Sequence, residues 1–282
     1  MCYNGQVLSI VLAATSAAVW GTGDYCGGRA SRRGDALAVT VLSQLASLPV
    51  LAVCLAFVGG TPTVRGLAWG ALAGVAGFAG ILLLYRGLAQ GAMALFAPVT
   101  AVTAAVVPMA VGLVLDRAPS PLALVGAVCA ILAIGLVSLT GGRTRINPRL
   151  VLLALASGVM FGLFFTLLGR AGGVAAGLWP VVAVRAGSIA IGLLVAARLR
   201  TTLRLTRPAL RWALVAGPLD VLANVLYALA AARGMLSVVA PISALYPVST
   251  VLLALTVERE RLRPVQVAGL GLAATALVLV AT

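Results

Sequence analysis

The sequence predicts an all-α polytopic membrane protein of about ten transmembrane helices, arranged as two inverted five-helix repeats. Three observations predict this. Apolar runs of bilayer length follow one another along the chain, charged residues fall between those runs, and a spaced set of Gly, Pro and polar residues recurs in both halves. Of the 282 residues, 62% are hydrophobic and 9% charged, against about 45–50% and about 25% in ordinary soluble domains. No soluble fold hides that much apolar surface. A bilayer does, because its hydrocarbon core of about 30 Å is crossed by ~20 apolar residues rising 1.5 Å each.

Apolar runs bounded by Arg, Gly and Pro mark helices near 7–27, 36–58, 65–84, 92–114, 121–140, 149–168, 177–198, 211–231, 236–257 and 264–281. The first run is not preceded by the basic segment of a cleaved signal and is needed as the counterpart of a later helix, so it is expected to be retained. The longest hydrophilic segments, Arg29 to Asp35 and Arg198 to Arg211, are too small to be domains and leave no room for a soluble catalytic module.

The halves echo one another. Gly91, Ala97, Pro98, Pro121 and Gly126 fall 143 residues before Gly234, Ala240, Pro241, Pro264 and Gly269, while Gly21 and Gln44 fall 141 residues before Gly162 and Arg185. A duplicated unit with an odd number of helices must set its second copy upside down in the membrane, the inverted-repeat arrangement of many secondary transporters.

The net charge of +14 is spread as punctuation between apolar runs, which is not how a phosphate-binding face is built, and no nucleic acid partner is expected. All twenty basic residues are Arg, with no Lys and no His. That removes a phosphate-loop Lys, a Schiff-base Lys, a Ser-His-Asp triad and a His-ligated metal. Cys2, Cys26, Cys54 and Cys129 lack metal or redox spacing and read as small core residues. No cofactor or metal is expected. The loops after odd-numbered helices carry fifteen Arg and the opposite side four. The positive-inside rule puts the odd-numbered loops in the cytoplasm and both termini outside.

Trp20-Gly21, the run Tyr85 to Gly91 leading into Ala97-Pro98, Asp220 to Tyr227, Leu245 to Thr250 and Glu260 to Pro264 together resemble the EamA-type transporters of the drug/metabolite transporter superfamily. Each half resembles one EamA unit, the first over residues 1–142 and the second over 143–282. The resemblance implies ten helices, a central cavity lined mainly by helices 1–4 and 6–9, and peripheral helices 5 and 10. It further implies a secondary transporter in the cytoplasmic membrane, moving a small metabolite or drug-like solute by alternating access with proton coupling or exchange. Two features depart from the family. Arg117 stands where a Glu usually follows the fourth helix, and the Arg count opposes the family's cytoplasmic termini.

Asp220 lies midway along the eighth run, where a charge costs roughly 2.5–3.5 kcal/mol to insert, so it should face a cavity or a partner. Asn224 at i+4 and Tyr227 at i+7 share its face, and Pro218 loosens the helix just before it. Asp220 binds a cationic group or a coupling proton, or else pairs with Arg185 to fix helices 7 and 8; a pair that opens and closes does both. Arg185 can also recognise a carboxylate or phosphate. Asp24 either sits at the cavity mouth or ends the first helix. Gln44, at the repeat position of Arg185, offers a neutral hydrogen bond across the pseudo-twofold axis.

Trp20, Tyr85 and Tyr246 are candidate aromatics, although a Tyr near a helix end also serves as an interfacial anchor. Pro98 and Pro108 in helix 4, with Pro241 and Pro247 in helix 9, are expected to kink both and free carbonyls. Gly66, Gly70 and Gly74 have the spacing that lets helices approach closely. The G-x-G-x-x-A pattern at Gly269, Gly271 and Ala274 has no strand before it and does not read as a nucleotide site. The alternatives are a passive channel, a membrane scaffold or, with no catalytic pair evident, a lipid-modifying enzyme. The expected partners are a small-molecule substrate and the lipid bilayer, with a proton as one candidate for coupling; the oligomeric state is left open.

Overall fold

The computed structural model describes residues 2–90, 93–115, 121–138, 148–246, 249 and 264–281, all statements below referring to these. The first half comprises α1 (Cys2–Ser31), α2 (Ala36–Ala46), α3 (Leu48–Val58), α4 (Val64–Ala89), α5 (Met93–Leu115) and α6 (Pro121–Ser138). The second comprises α7 (Pro148–Arg170), α8 (Trp179–Arg198), α9 (Arg207–Ala231), α10 (Leu236–Ser243) and α11 (Pro264–Ala281). A single 3-10 turn, Val174–Ala176, precedes α8.

Local chemistry sets several of these boundaries. The Asp35 carboxylate accepts from the Ala38 N–H at 3.0 Å to start α2, and the Thr63 hydroxyl accepts from the Gly66 N–H at 3.0 Å to start α4. The second apolar run, expected as one helix over 36–58, is interrupted at Ser47. Pro49 has no N–H to continue the hydrogen-bond ladder, and the Ser47 hydroxyl instead donates to the Gln44 carbonyl at 2.6 Å. The two pieces still make one span, Ala36–Val58. In the ninth run, Pro241 lies inside α10, which closes at Ser243 in a turn; residues 250–263 lie outside the described set. α1 runs on to Ser31, so Asp24 does not end it.

Six spans among the described residues are long and apolar enough to cross a membrane: Gln6–Ser31, Ala36–Val58, Val64–Ala89, Pro148–Arg170, Trp179–Arg198 and Arg207–Ala231. Their outer faces are apolar as well. Phe57, Leu72, Leu152 and Leu194 point outward, a surface suited to lipid rather than water. The protein is a multi-pass membrane protein.

A two-fold relation between the halves runs through the packing. α1 lies along α9, and its counterpart α7 lies along α4; α4 lies along α8, as α9 does along α2; α5 meets α7, as α10 meets α1; and α6 pairs with α11. Individual contacts repeat too. Ser16 donates to the Ala223 carbonyl at 2.9 Å, and Ser157, 141 residues later, donates to the Gly80 carbonyl at 2.9 Å. Thr100 donates to Ala154 at 3.1 Å and Ser243 to Ala13 at 3.5 Å. A methyl group on Gly74 would strike the Val184 carbonyl, and one on Gly217 would strike the Ser43 carbonyl. Gly66 and Gly70 are likewise pressed against the Ala171 and Pro180 carbonyls, so the small-residue stripe is a packing device. With five helices per half, α2 and α3 counting as one, this relation makes the repeats inverted.

The loops at the two ends also pair. Thr61 donates its N–H to the Ala175 carbonyl at 3.0 Å, and the Trp179 indole donates to the Gly60 carbonyl at 3.0 Å. Gly60, at φ 118, and Gly177, at φ 54, make this close crossing in backbone regions that side chains avoid. At the opposite end, Leu205 in the 199–206 loop packs against Gly34.

Candidate functional site

Gln44 on α2 and Arg185 on α8 are repeat counterparts, and they touch: the Arg185 Nη1 donates to Gln44 Oε1. Equivalent residues meet only where the two-fold axis passes between them, so this contact marks the centre of the molecule. The other guanidinium arm, Nη2, pairs with Asp220 Oδ2 of α9 at 2.6 Å. Arg185 is 2% exposed and Asp220 21%, so the carboxylate looks into open space while the guanidinium is sealed behind it.

Asp220 collects two further donors. The Trp20 indole on α1 donates to Oδ1 at 3.1 Å, and Asn224 Nδ2, one turn along α9, donates to Oδ2 at 3.3 Å. One carboxylate thus ties together α1, α8 and α9, and Arg185 extends the tie to α2. A planar guanidinium spans Gln44 and Asp220 at once in a way that an ammonium cannot. Two buried atoms of this network, Arg185 Nε and Asn224 Oδ1, find no hydrogen-bond partner among the described residues.

Beside the network lies a partly open pocket whose empty space, counted out through its mouth, is about 510 Å³. Trp20, Asp24, Gln44, Arg185, Asp220, Asn224 and Tyr246 all line it, bringing together seven of the eight residues singled out as binding or coupling candidates. The eighth, Tyr227, is fully buried behind the wall. Its hydroxyl donates to the Phe165 carbonyl at 2.7 Å, and its ring lies 5.8 Å from Trp20 and 5.1 Å from Phe165. Tyr85 is buried where its ring fills the space over Gly27, and it is not an interfacial anchor. Of the proline candidates, Pro218 lies inside α9, Pro98 and Pro108 fall within α5, Pro241 lies inside α10, and Pro247 is outside the described residues.

Sequence reasoning missed the aromatic wall. Phe161, Phe164 and Phe165 line the cavity from α7, with Trp20 centred 6.0 Å from Phe164 and 5.2 Å from Phe165. Their i, i+3, i+4 spacing was the available signal, and Phe161 is the repeat counterpart of Trp20. Two glycines explain why the symmetric scaffold holds an asymmetric site. Gly77 is the counterpart of Asp220, and its bare face receives the Phe164 ring; Gly23 is the counterpart of Phe164, and it lies against Leu219 and the Asp220 backbone. One side of the axis is filled by a ring and the other carries the carboxylate.

Cys26, Cys54 and Cys129 are free thiols, and no group of residues able to hold a metal ion occurs among the described residues.

Comparison with known proteins agrees with this architecture. The model of the EamA-like transporter family matches the chain twice, over residues 7–139 and 148–282. No curated protein sequence matches. A solved structure titled "Crystal structure of protein" superposes with a TM-score of 0.76 at 14% identity, covering 96% of this chain and 97% of that one, a likeness of fold.

Proposed function

Because the chain belongs to the EamA-like transporter family, and is a membrane transporter rather than an enzyme at that level, we propose that it is a secondary transporter working by alternating access around the axial cavity. The observation that carries this reading is the ion pair of Arg185 with Asp220, set on the pseudo-twofold axis beside the cavity. A buried pair is weak evidence for stability, because desolvating both charges offsets most of their attraction. Its position favours a functional role: through Gln44 on α2 and Trp20 on α1 the pair is tied to the first half at the point about which the halves must rock if access is to alternate. Opening toward one side stretches the contacts of α1 and α9 with α8 and α2, and the network offers polar partners to a solute in their place.

Counterflow of a labelled metabolite panel in proteoliposomes, with and without a pH gradient, tests the reading. Substrate-specific trans-acceleration is expected from the parent, and a response to the gradient distinguishes proton coupling from exchange of a second solute. Asp220→Asn removes a charge-assisted bond and is expected to lower flux by about ten- to a hundredfold. Flux without trans-acceleration would identify a passive pore instead.

A further inference from the structure

One polar group in the cavity is left over by the ion-pair network. Asp24 stands one turn beyond Trp20 on α1 and lines the same space, and among the described residues no donor reaches its carboxylate. The charged residues of the described lining are Asp24, Asp220 and Arg185. Arg185 is already matched by Asp220 at 2.6 Å, so Asp24 is a second carboxyl in the cavity with no basic residue of its own in the described lining. A second acceptor points the same way. Asn224 is 2% exposed and lines the cavity; its Nδ2 is committed to Asp220, and its Oδ1 has no donor. Burying an acceptor unsatisfied is costly, so the site is built to receive an N–H or a positive charge.

The rest of the wall gives the ligand its second property. Trp20, Phe164 and Phe165 present aromatic rings to the space that Asp24 and Asn224 border. Aromatic faces attract organic cations and bury the carbon around them. They offer nothing to a small inorganic cation, which needs a shell of oxygens. A carboxylate ligand fares badly here, since the guanidinium of the described lining is already paired and Asp24 adds an acid rather than a base.

We propose that Asp24, Asn224 Oδ1 and the aromatic wall form a subsite for an organic cation, an ammonium or guanidinium group carried on an apolar body. This assignment rests on the cavity being the transport site and names the class of substrate it carries.

Equilibrium dialysis of the purified full chain against labelled benzyltrimethylammonium, phenylalanine and phenylacetate tests the subsite, with proteoliposome flux of the same three probes run in parallel. Benzyltrimethylammonium is expected to bind best. Asp24→Asn is expected to weaken it by about ten- to a hundredfold, Asp24→Glu to recover most of the loss, and Trp20→Phe to weaken it about two- to thirtyfold. Thermal unfolding verifies that each variant is folded; if Asp24→Asn is not, Asp24→Glu and Trp20→Phe decide. Preference for phenylacetate or phenylalanine, no binding of benzyltrimethylammonium, or binding indifferent to both positions overturns the assignment. Binding of the cation without flux upholds the subsite and overturns the transport reading. Flux of phenylacetate without binding of the cation does the reverse.

Discussion

Arg185 and Asp220 illustrate how a residue-scale reading separates stability from function. Removing one member strands the other as an uncompensated charge in the protein interior, which costs about 3–5 kcal/mol, whereas replacing both with apolar residues is often neutral or better. Asp220→Leu is therefore expected to lower the thermal unfolding midpoint in detergent by several degrees, and the double variant Arg185→Leu with Asp220→Leu to regain most of it. The double variant should nonetheless fail in counterflow. Recovery of flux along with stability would reduce the pair to a structural tie. Arg185→Lys keeps the charge but loses the fork that spans Gln44 and Asp220, and flux is expected to drop with little change in the unfolding midpoint. At this scale Asp220, Asn224 and Arg185 were legible in the sequence, because a charge in the middle of an apolar run is costly and needs a reason. Phe164 and Phe165 were not. In a chain so apolar, a ring facing a cavity and a ring facing lipid leave the same trace.

Helices in this protein meet through paired glycines, and the pairing makes a prediction that belongs to the element. Gly74 on α4 abuts the Val184 carbonyl and Gly217 on α9 abuts the Ser43 carbonyl, backbone against backbone, with no side chain able to give way. Gly74→Ala and Gly217→Ala should each destabilise by about 1–3 kcal/mol, read as a shift in thermal unfolding, since overpacking here must push the facing helices apart. Similar shifts are expected from these substitutions, because they alter the same contact in the two halves; a loss confined to one would break the equivalence. The glycine spacing in α4 was visible in the sequence, and so was the extent of most spans. The interruption at Ser47 was hidden, because Leu48 to Val58 continues the apolar run and only Pro49 hints that the ladder changes track.

The two ends of the whole molecule differ in charge, and that asymmetry predicts orientation. Arg29, Arg32, Arg33 and the Arg200 to Arg207 loop gather at one end, where Arg29 also lies 5.0 Å over the Trp212 ring, while the crossing of Gly60 and Gly177 closes the other. In a variant freed of its native cysteines, Thr202→Cys should react with an impermeant maleimide only from the cytoplasmic side and Pro62→Cys only from outside. The reverse pattern would favour the family's usual placement of the termini over the Arg count. Apolar length, charge placement and the recurring 141- and 143-residue offsets were enough to determine a helical membrane protein of two inverted halves, because bilayer thickness and backbone hydrogen bonding allow few other solutions. Only the tertiary structure decided that Gln44 meets Arg185 on the axis, that Gly77 and Gly23 exchange bulk with Asp220 and Phe164, and that Asp24 is left without a donor among the described residues. Those facts depend on how helices far apart in the chain are turned toward one another, and in lipid that rotation is set by close packing across their surfaces rather than by any pattern along one helix.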